Sequence, residues 1–484
     1  MKMALLAYLV LLVLTVLYVM AVVAVYRRSR DLTIPVGAFL AYFWTLMGAW
    51  PFIVDASTGY MGYRIGLAYY YLMEKMFPFE VDGDYVEALL LLGSFLIGLA
   101  AAWLLMFGRR QLATGPTRQV IPVDHTRLII GGLSVMLLSF LLIVPDIRRA
   151  MHEDVSVYLA VSNAGGARAA LHGLLNEMVA ICLIVGYAVR LSEAAPYPLF
   201  LSRNGKWADR AYPLALLLAG LFFVFIGDRH PLFLGSVIGC LLLFQLYGRQ
   251  GWRPALPLVL ICAGSIVLAG WVRSFTWNEV ATLKKFETPR PDPYPYDLPL
   301  IAHVPAKKGA LADVLEPVWT NELFAAHFSM YGVLRREVPL APGMSFNYLL
   351  HAFIPSFLAD RPSTIYDHYA AEARLVPGQG YTIHQATAWY LNVGWPGPFI
   401  GGFVLGLLWT GARWIIHRGR VTSRVTSILQ LVPFLFVAFL PQLLRSGPEA
   451  YKGLLVEGFA IPLVVMFLAG GGLTDMANHT RHAD

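Results

Sequence analysis

The chain has 484 residues, 57 % of them apolar and only 14 % charged, with a mean hydropathy of +0.60. A soluble globular chain carries about 25 % charged residues, so an ordinary soluble domain is excluded and an integral membrane protein is implied. The net charge of +7 then reads as the basic bias of membrane topology, not as a nucleic-acid surface. Cys182, Cys240 and Cys262 all fall in apolar runs and give no disulfide framework.

The first apolar run, Ala4 to Val25, is followed by Arg27, Arg28 and Arg30. A basic cluster behind the run predicts an uncleaved span with its N-terminus outside. Further spans are predicted near 34–54, 85–107, 126–145, 170–190, 211–227, 231–247, 254–272, 386–411, 426–444 and 453–470. That makes about eleven, on the scale of about 20 apolar residues per hydrocarbon crossing. Residues 60–79 contain Arg64, Glu74 and Lys75 and read as an amphipathic interfacial helix.

Loops 26–31, 108–127, 190–210, 248–253 and 412–424 hold 17 Lys and Arg, against 8 in loops 55–84, 146–169, 228–230 and 445–452. The first set is assigned inside and the second outside. Residues 1–272 then form a bundle of about eight spans and 273–385 an outer segment. About three spans fill 386–470, and 471–484 is an inner tail. In the outer segment, Glu287–Leu300 is too proline-rich for a helix, while helices are predicted over 313–338, 347–358 and 366–375. The expected fold class is an all-α integral membrane protein with an outer helical cap.

Phe222 to Phe244 is almost wholly apolar except for Asp228, Arg229 and His230. The topology makes them the tip of an outer hairpin, with Pro231 opening the next helix, where a missing N–H costs nothing. Arg273, Arg445 and Lys452 also fall at outer ends of spans, and Arg148, Arg149 and Arg168 lie in an outer loop. Two readings stay open. Each arginine snorkels or pairs locally, Arg229 with Asp228 and Arg445 with Glu449. Alternatively, the set binds an anion at headgroup depth, for which the guanidinium fork suits phosphate; a lipid-linked pyrophosphate fits.

His384 follows the Gly378–Gly380 turn and Tyr381 at the mouth of a span. An imidazole there suits proton abstraction from a sugar hydroxyl, and equally suits a helix cap. Glu372 and Glu449 are reserve bases. Walker, dinucleotide, HExxH, CxxC and GxSxG motifs are absent, and no carboxylates have convincing metal spacing.

The stretch IPSFLADRPSTIYD (Ile354 to Asp367), a Gly-rich turn, and AWYLNVGWPGPFIGGFVLGLLW (Ala388 to Trp409) resemble the Wzy-type O-antigen and exopolysaccharide repeat-unit polymerases. Tyr390, Asn392, Gly394, Gly397 and Gly402 fit that family's pattern; Ala388 stands where an acidic residue is usual. The resemblance implies a C-type glycosyltransferase architecture in a bacterial inner membrane, with its active site facing the periplasm. It implies a growing glycan on undecaprenyl pyrophosphate as donor and a lipid-linked repeat unit as acceptor. A chain-length regulator and a flippase are the implied partners. On this reading His384, Glu372 and Glu449 are the candidate bases, and Arg229, Arg273, Arg445 and Lys452 hold the pyrophosphate. Tyr381, Arg374, Trp389 and Tyr390 meet the sugars. No cofactor is expected, and a good leaving group makes a metal optional. An O-antigen ligase shares the donor, and a polysaccharide flippase or transporter is the different-class alternative.

Overall fold

The structure, a computed structural model, describes residues 2–58, 81–108, 121–282 (without 163, 165, 197, 199, 203, 204 and 274), 322–352, 354, 362–373, 382–417 and 431–470. The expected interfacial helix at 60–79, the extended Glu287–Leu300, the turn with Gly378, Gly380 and Tyr381, and the tail 471–484 lie outside the described residues, as does Arg374.

In chain order the helices begin with α1 (Lys2–Ser29), α2 (Thr33–Thr45), α3 (Ala49–Thr58) and α4 (Gly83–Gly108). After β1 (Ile121–Val123) come α5 (His125–Glu153), α6 (Val157–Ser162) and α7 (Gly166–Val179). A π-helical stretch, Ala180–Val185, leads into α8 (Gly186–Ser192) and β2 (Phe200–Ser202). Then follow α9 (Gly205–Ile226), α10 (His230–Tyr247), α11 (Trp252–Val272) and α12 (Trp277–Thr282). The last group is α13 (Glu322–Arg335), α14 (Met344–Ala352), α15 (Ile365–Glu372), α16 (Gln385–Val393), α17 (Gly397–His417) and α18 (Val432–Leu444). A second π-helical stretch, Leu454–Ala460, runs into α19 (Ile461–Ala469).

Among the described residues, seven helical stretches are long and apolar enough to cross a membrane, and one of them, His230–Val272, contains both α10 and α11. Two expected spans are broken. The one near 34–54 stops at Thr45 and restarts at Ala49. The one near 386–411 is cut by Gly394, whose φ is +80°, and by Pro396, which cannot donate an N–H to a continuing helix. Among the described residues the only strands are β1 and β2, which pair in parallel with Ile121 opposite Phe200.

The chain gathers into two compact units, each drawn from separate stretches of sequence. Unit one gathers Met1–Thr114, Tyr296–His417 and Phe439–Leu454; unit two gathers Gly115–Pro295, Arg418–Ala438 and Leu455–Asp484. The reason in unit one is the seam between α4 and α17. A Cβ on Gly402 would stand 1.9 Å from the Phe95 carbonyl oxygen, and one on Gly98 would stand 2.2 Å from that of Phe399. Backbones this close need glycine, as in small-residue packing within membranes. Helix α13, in the segment expected to form an outer cap, packs into the core of unit one: Ala326, His327, Phe328, Ser329, Met330 and Tyr331 are all buried.

In unit two, Asp124 caps α5 by accepting the Thr126 and Arg127 N–H groups at 3.0 and 3.2 Å, which satisfies two otherwise orphaned donors. Pro231 sits in the first turn of α10, as the sequence predicts.

Candidate functional site

Helix α16 in unit one starts at His384, which serves as its N-cap. The His384 Nδ1 accepts the Ala386 N–H at 3.0 Å, and Nε2 lies 3.1 Å from Thr45 Oγ1. Because Nδ1 accepts, the ring proton of the neutral form sits on Nε2. The His384 N–H donates to Ser329 Oγ at 3.0 Å, and that hydroxyl lies 2.9 Å from Thr387 Oγ1. The residue is 0 % exposed. Burial, with the neighbouring His327 second, pushes its pKa down to about 3. His327 itself is lowered to about 4 by burial. Its Nδ1 donates to the Thr45 carbonyl at 2.7 Å and its Nε2 lies 3.0 Å from the Tyr85 hydroxyl. Both His384 nitrogens are therefore engaged in holding the helix start. The cap reading is the one this geometry describes, and neither nitrogen is left to face a substrate.

The next residue fastens the Arg445–Lys452 turn. With its NH2 group donating to the Leu443 and Gly447 carbonyls at 2.9 and 2.8 Å, the Gln385 amide oxygen accepts from the Tyr451 hydroxyl at 2.7 Å and Trp389 Nε1 at 3.2 Å. Ile383 and Ser446 form a parallel bridge beside it. Gly447 takes a φ of +71° at the bend, a conformation that glycine adopts without penalty.

About two turns further along α16, Asn392 binds Ser345. The Asn392 Oδ1 accepts the Ser345 N–H at 3.0 Å, and its Nδ2 donates to Ser345 Oγ at 2.8 Å. Ser345 Oγ in turn donates to Glu449 Oε1 at 2.8 Å, and the Ile365 N–H at the start of α15 reaches the same oxygen at 2.9 Å. Glu449 is thus gripped by one oxygen, while the other, Oε2, is buried and hydrogen-bonded to none of the described residues.

The remaining expected residues of unit one fall around this carboxylate in part. Arg445 is half-buried and its Nε donates to Gln442 Oε1 at 3.1 Å. Lys452 is half-buried, on the short helix Tyr451–Gly453. Trp389 is buried, with its ring 5.2 Å from that of Phe346, and Tyr390 is half-buried. Glu372 is exposed at the far end of α15, seven residues from Ile365 and so about 10 Å along the helix.

Unit two holds the other two expected cations. Arg229 is exposed at the hairpin tip, with Nη1 lying over Gly270: a Cβ there would be 3.1 Å away. Arg273 stacks its guanidinium 3.6 Å from the Tyr158 ring centroid, a cation–π contact. Gly227, with φ +71°, brings the hairpin against Arg273. Asp228 does not pair with Arg229. It accepts the His230 N–H at 3.1 Å and the Asn176 Nδ2 donor at 3.2 Å. Arg229 and Arg273 have no carboxylate partner among the described residues. Arg149 and Arg168, expected to join this set, pair instead with Glu153 at 3.0 Å and Asp146 at 2.6 Å. The four cations assigned to one pyrophosphate are therefore two in each unit.

Sequence reading missed the polar stripe inside α7. Ser139 Oγ lies 2.8 Å from His172 Nδ1 and donates to Asn176 Oδ1 at 2.8 Å, and Glu177 is 4 % exposed. The signal was available: HGLLNE puts His172 and Asn176 four residues apart in an apolar helix, hence on one face.

No protein-family model matches this chain, and no curated protein or solved structure matches it either.

Proposed function

We propose that the chain is a membrane glycosyltransferase that joins oligosaccharide repeat units carried on undecaprenyl pyrophosphate, working at the periplasmic face of a bacterial inner membrane. The observation that carries this reading is the link from Asn392 through Ser345 to Glu449. It ties the Tyr-x-Asn-x-Gly element, on which the family resemblance rests, to a carboxylate with one oxygen unengaged.

Glu449 Oε2 takes the proton of the acceptor hydroxyl. The hydroxyl oxygen bonds to the anomeric carbon of the donor as the carbon–oxygen bond to pyrophosphate breaks. The electron pair leaves on the lipid pyrophosphate, whose growing charge Arg445 and Lys452 offset. Trp389, Tyr390, Tyr381 and Arg374 bear on the sugars. His384 holds the start of α16 in place.

The test is incubation of the purified protein with lipid-linked repeat units. A ladder of lengths supports the polymerase. Transfer to a lipid A core acceptor would mean a ligase, and neither product would sink the reading. A transporter remains the second reading because one observation favours it: Glu177 is a buried carboxylate within an apolar helix, and such groups mark ion or substrate paths. Movement of an intact lipid-linked unit across vesicle membranes, without a ladder, would select it.

A further inference from the structure

Glu177 lies in the apolar helical stretch Arg168–Ser192, about nine residues from its start and so on the order of 13 Å along it. Its side chain is 5 % exposed, and Oε1 is 3.3 Å from His230 Nε2. Oε2 is buried and has no hydrogen-bond partner among the described residues. A carboxylate so placed is strongly disfavoured unless it is neutralised. His230 is the neighbour able to do that, and its side chain is 37 % exposed, so one end of the pair reaches water.

The surroundings are built around this pair. Chain winding widens into a π-helix at Ala180–Val185, just after Glu177, and again at Leu454–Ala460, which contains Glu457. Such widening is rare and gathers at functional sites. The groups bearing on Glu177 are Asp228 on the hairpin and Glu457 on the second wide turn. His172 lies on its own helix, and Asp146 of α5, bound by Arg168, bears on His172. Helix α19 offers no titratable group. Asp228 is held by Asn176 and by the His230 N–H, so it does not occupy the open Glu177 oxygen. No set of three metal-ligating side chains converges among the described residues.

We propose that Glu177 and His230 form a proton-exchange site within unit two, with His230 as its water-facing member. His230 takes a proton from water and passes the one on Nε2 to Glu177 Oε1. The carboxylate becomes the acid as the imidazolium returns to neutral, and the reverse step releases the proton. The pair is separate from the Glu449 site in unit one, so the proposal does not depend on the transferase reading.

The experiment is infrared difference spectroscopy of the full chain in lipid nanodiscs, titrated across roughly pH 5 to 9, the range in which an imidazole partner changes charge. Wild type, Glu177→Gln and His230→Gln are compared. The wild type should show a carboxylic-acid carbonyl band that is lost as pH rises, and Glu177→Gln should remove it. His230→Gln should move its midpoint by about one pH unit or more, since a neighbouring charge shifts a carboxyl by that much. Size-exclusion profiles of both variants report folding, and Gln keeps the shape of Glu. Identical spectra for wild type and Glu177→Gln, a Glu177 band constant across the range, or a midpoint that His230→Gln leaves in place would each overturn the proposal.

Discussion

At the scale of single residues, the contrast between His384 and Glu449 organises the candidate site. Replacing Glu449 by Gln keeps the hydrogen bonds to Oε1 and removes the base. Single-turnover transfer from a fluorescent lipid-linked repeat unit should fall by about 10²–10⁴-fold while the protein still elutes as folded. A variant with wild-type rate would move the base elsewhere. His384 behaves differently because its pKa is pushed down to about 3. The folded state keeps it neutral while the unfolded chain binds a proton below about pH 6.5, so its contribution to stability is complete above that value. It is lost as pH falls toward the folded pKa values of about 3 for His384 and about 4 for His327. Melting temperature in detergent should therefore drop on acidification below about pH 6.5. His384→Asn keeps a capping oxygen and should flatten that drop; His384→Ala should cost about 1 kcal/mol at neutral pH. An acid limb as steep in His384→Asn as in wild type would contradict this account. The sequence left base and cap open for His384, since both need only an imidazole at a helix start. The choice rests on Thr45, 339 residues away in the chain, which no local pattern can show.

At the scale of elements, the glycines of α17 had a family pattern in the sequence, but their partner did not. Gly402→Ala would drive a Cβ to 1.9 Å from a backbone oxygen of α4, so the helices must part. We expect a loss of about 1–3 kcal/mol, the usual range for overpacking, read as a lowered melting temperature. Gly411→Ala meets nothing within 4 Å and should be neutral or stabilising by up to about 1 kcal/mol. Equal melting of the two variants would mean that the seam does not carry stability. Long apolar runs made α1, α4, α5 and α9 to α11 legible, because burial in lipid needs nothing but length and hydropathy. The break at Thr45 was not legible, since apolar residues continue through it, whereas Gly394 and Pro396 did mark the second break inside an otherwise apolar stretch. The burial of helix α13 was not legible for the opposite reason. Its histidine and serine look polar in sequence, yet His327 and Ser329 are satisfied by Thr45, Tyr85 and Thr387 and so can be buried.

At the scale of the whole molecule, membrane sidedness rests on the 17-to-8 distribution of basic residues. The native cysteines give little background, since Cys182 and Cys262 are buried and Cys240 half-buried. Single cysteines at Arg336 and Arg249, both exposed, provide the measurement. An impermeant maleimide added outside intact cells should modify the cysteine at 336 and spare the one at 249. The inverse pattern would place the Glu449 site on the cytoplasmic side and remove the proposed transferase reading. The grouping into two compact units was not legible in the sequence, because it follows from which distant helices dock and not from any shift in composition.

That docking also sets a schedule for making the protein. Helix α17 begins at Gly397, whereas the glycine notch it fills on α4 includes Gly98. At ~5–20 residues per second, the ribosome needs roughly 15–60 s to supply the missing partner. Throughout that interval the newly inserted α4 must wait in the bilayer with its close-packing face against lipid or an insertion factor. Unit one also takes Phe439–Leu454, so a chain stopped short of residue 439 should leave the early helices exposed to membrane proteases. Biogenesis, more than the finished fold, is then the stage at which this chain is most vulnerable.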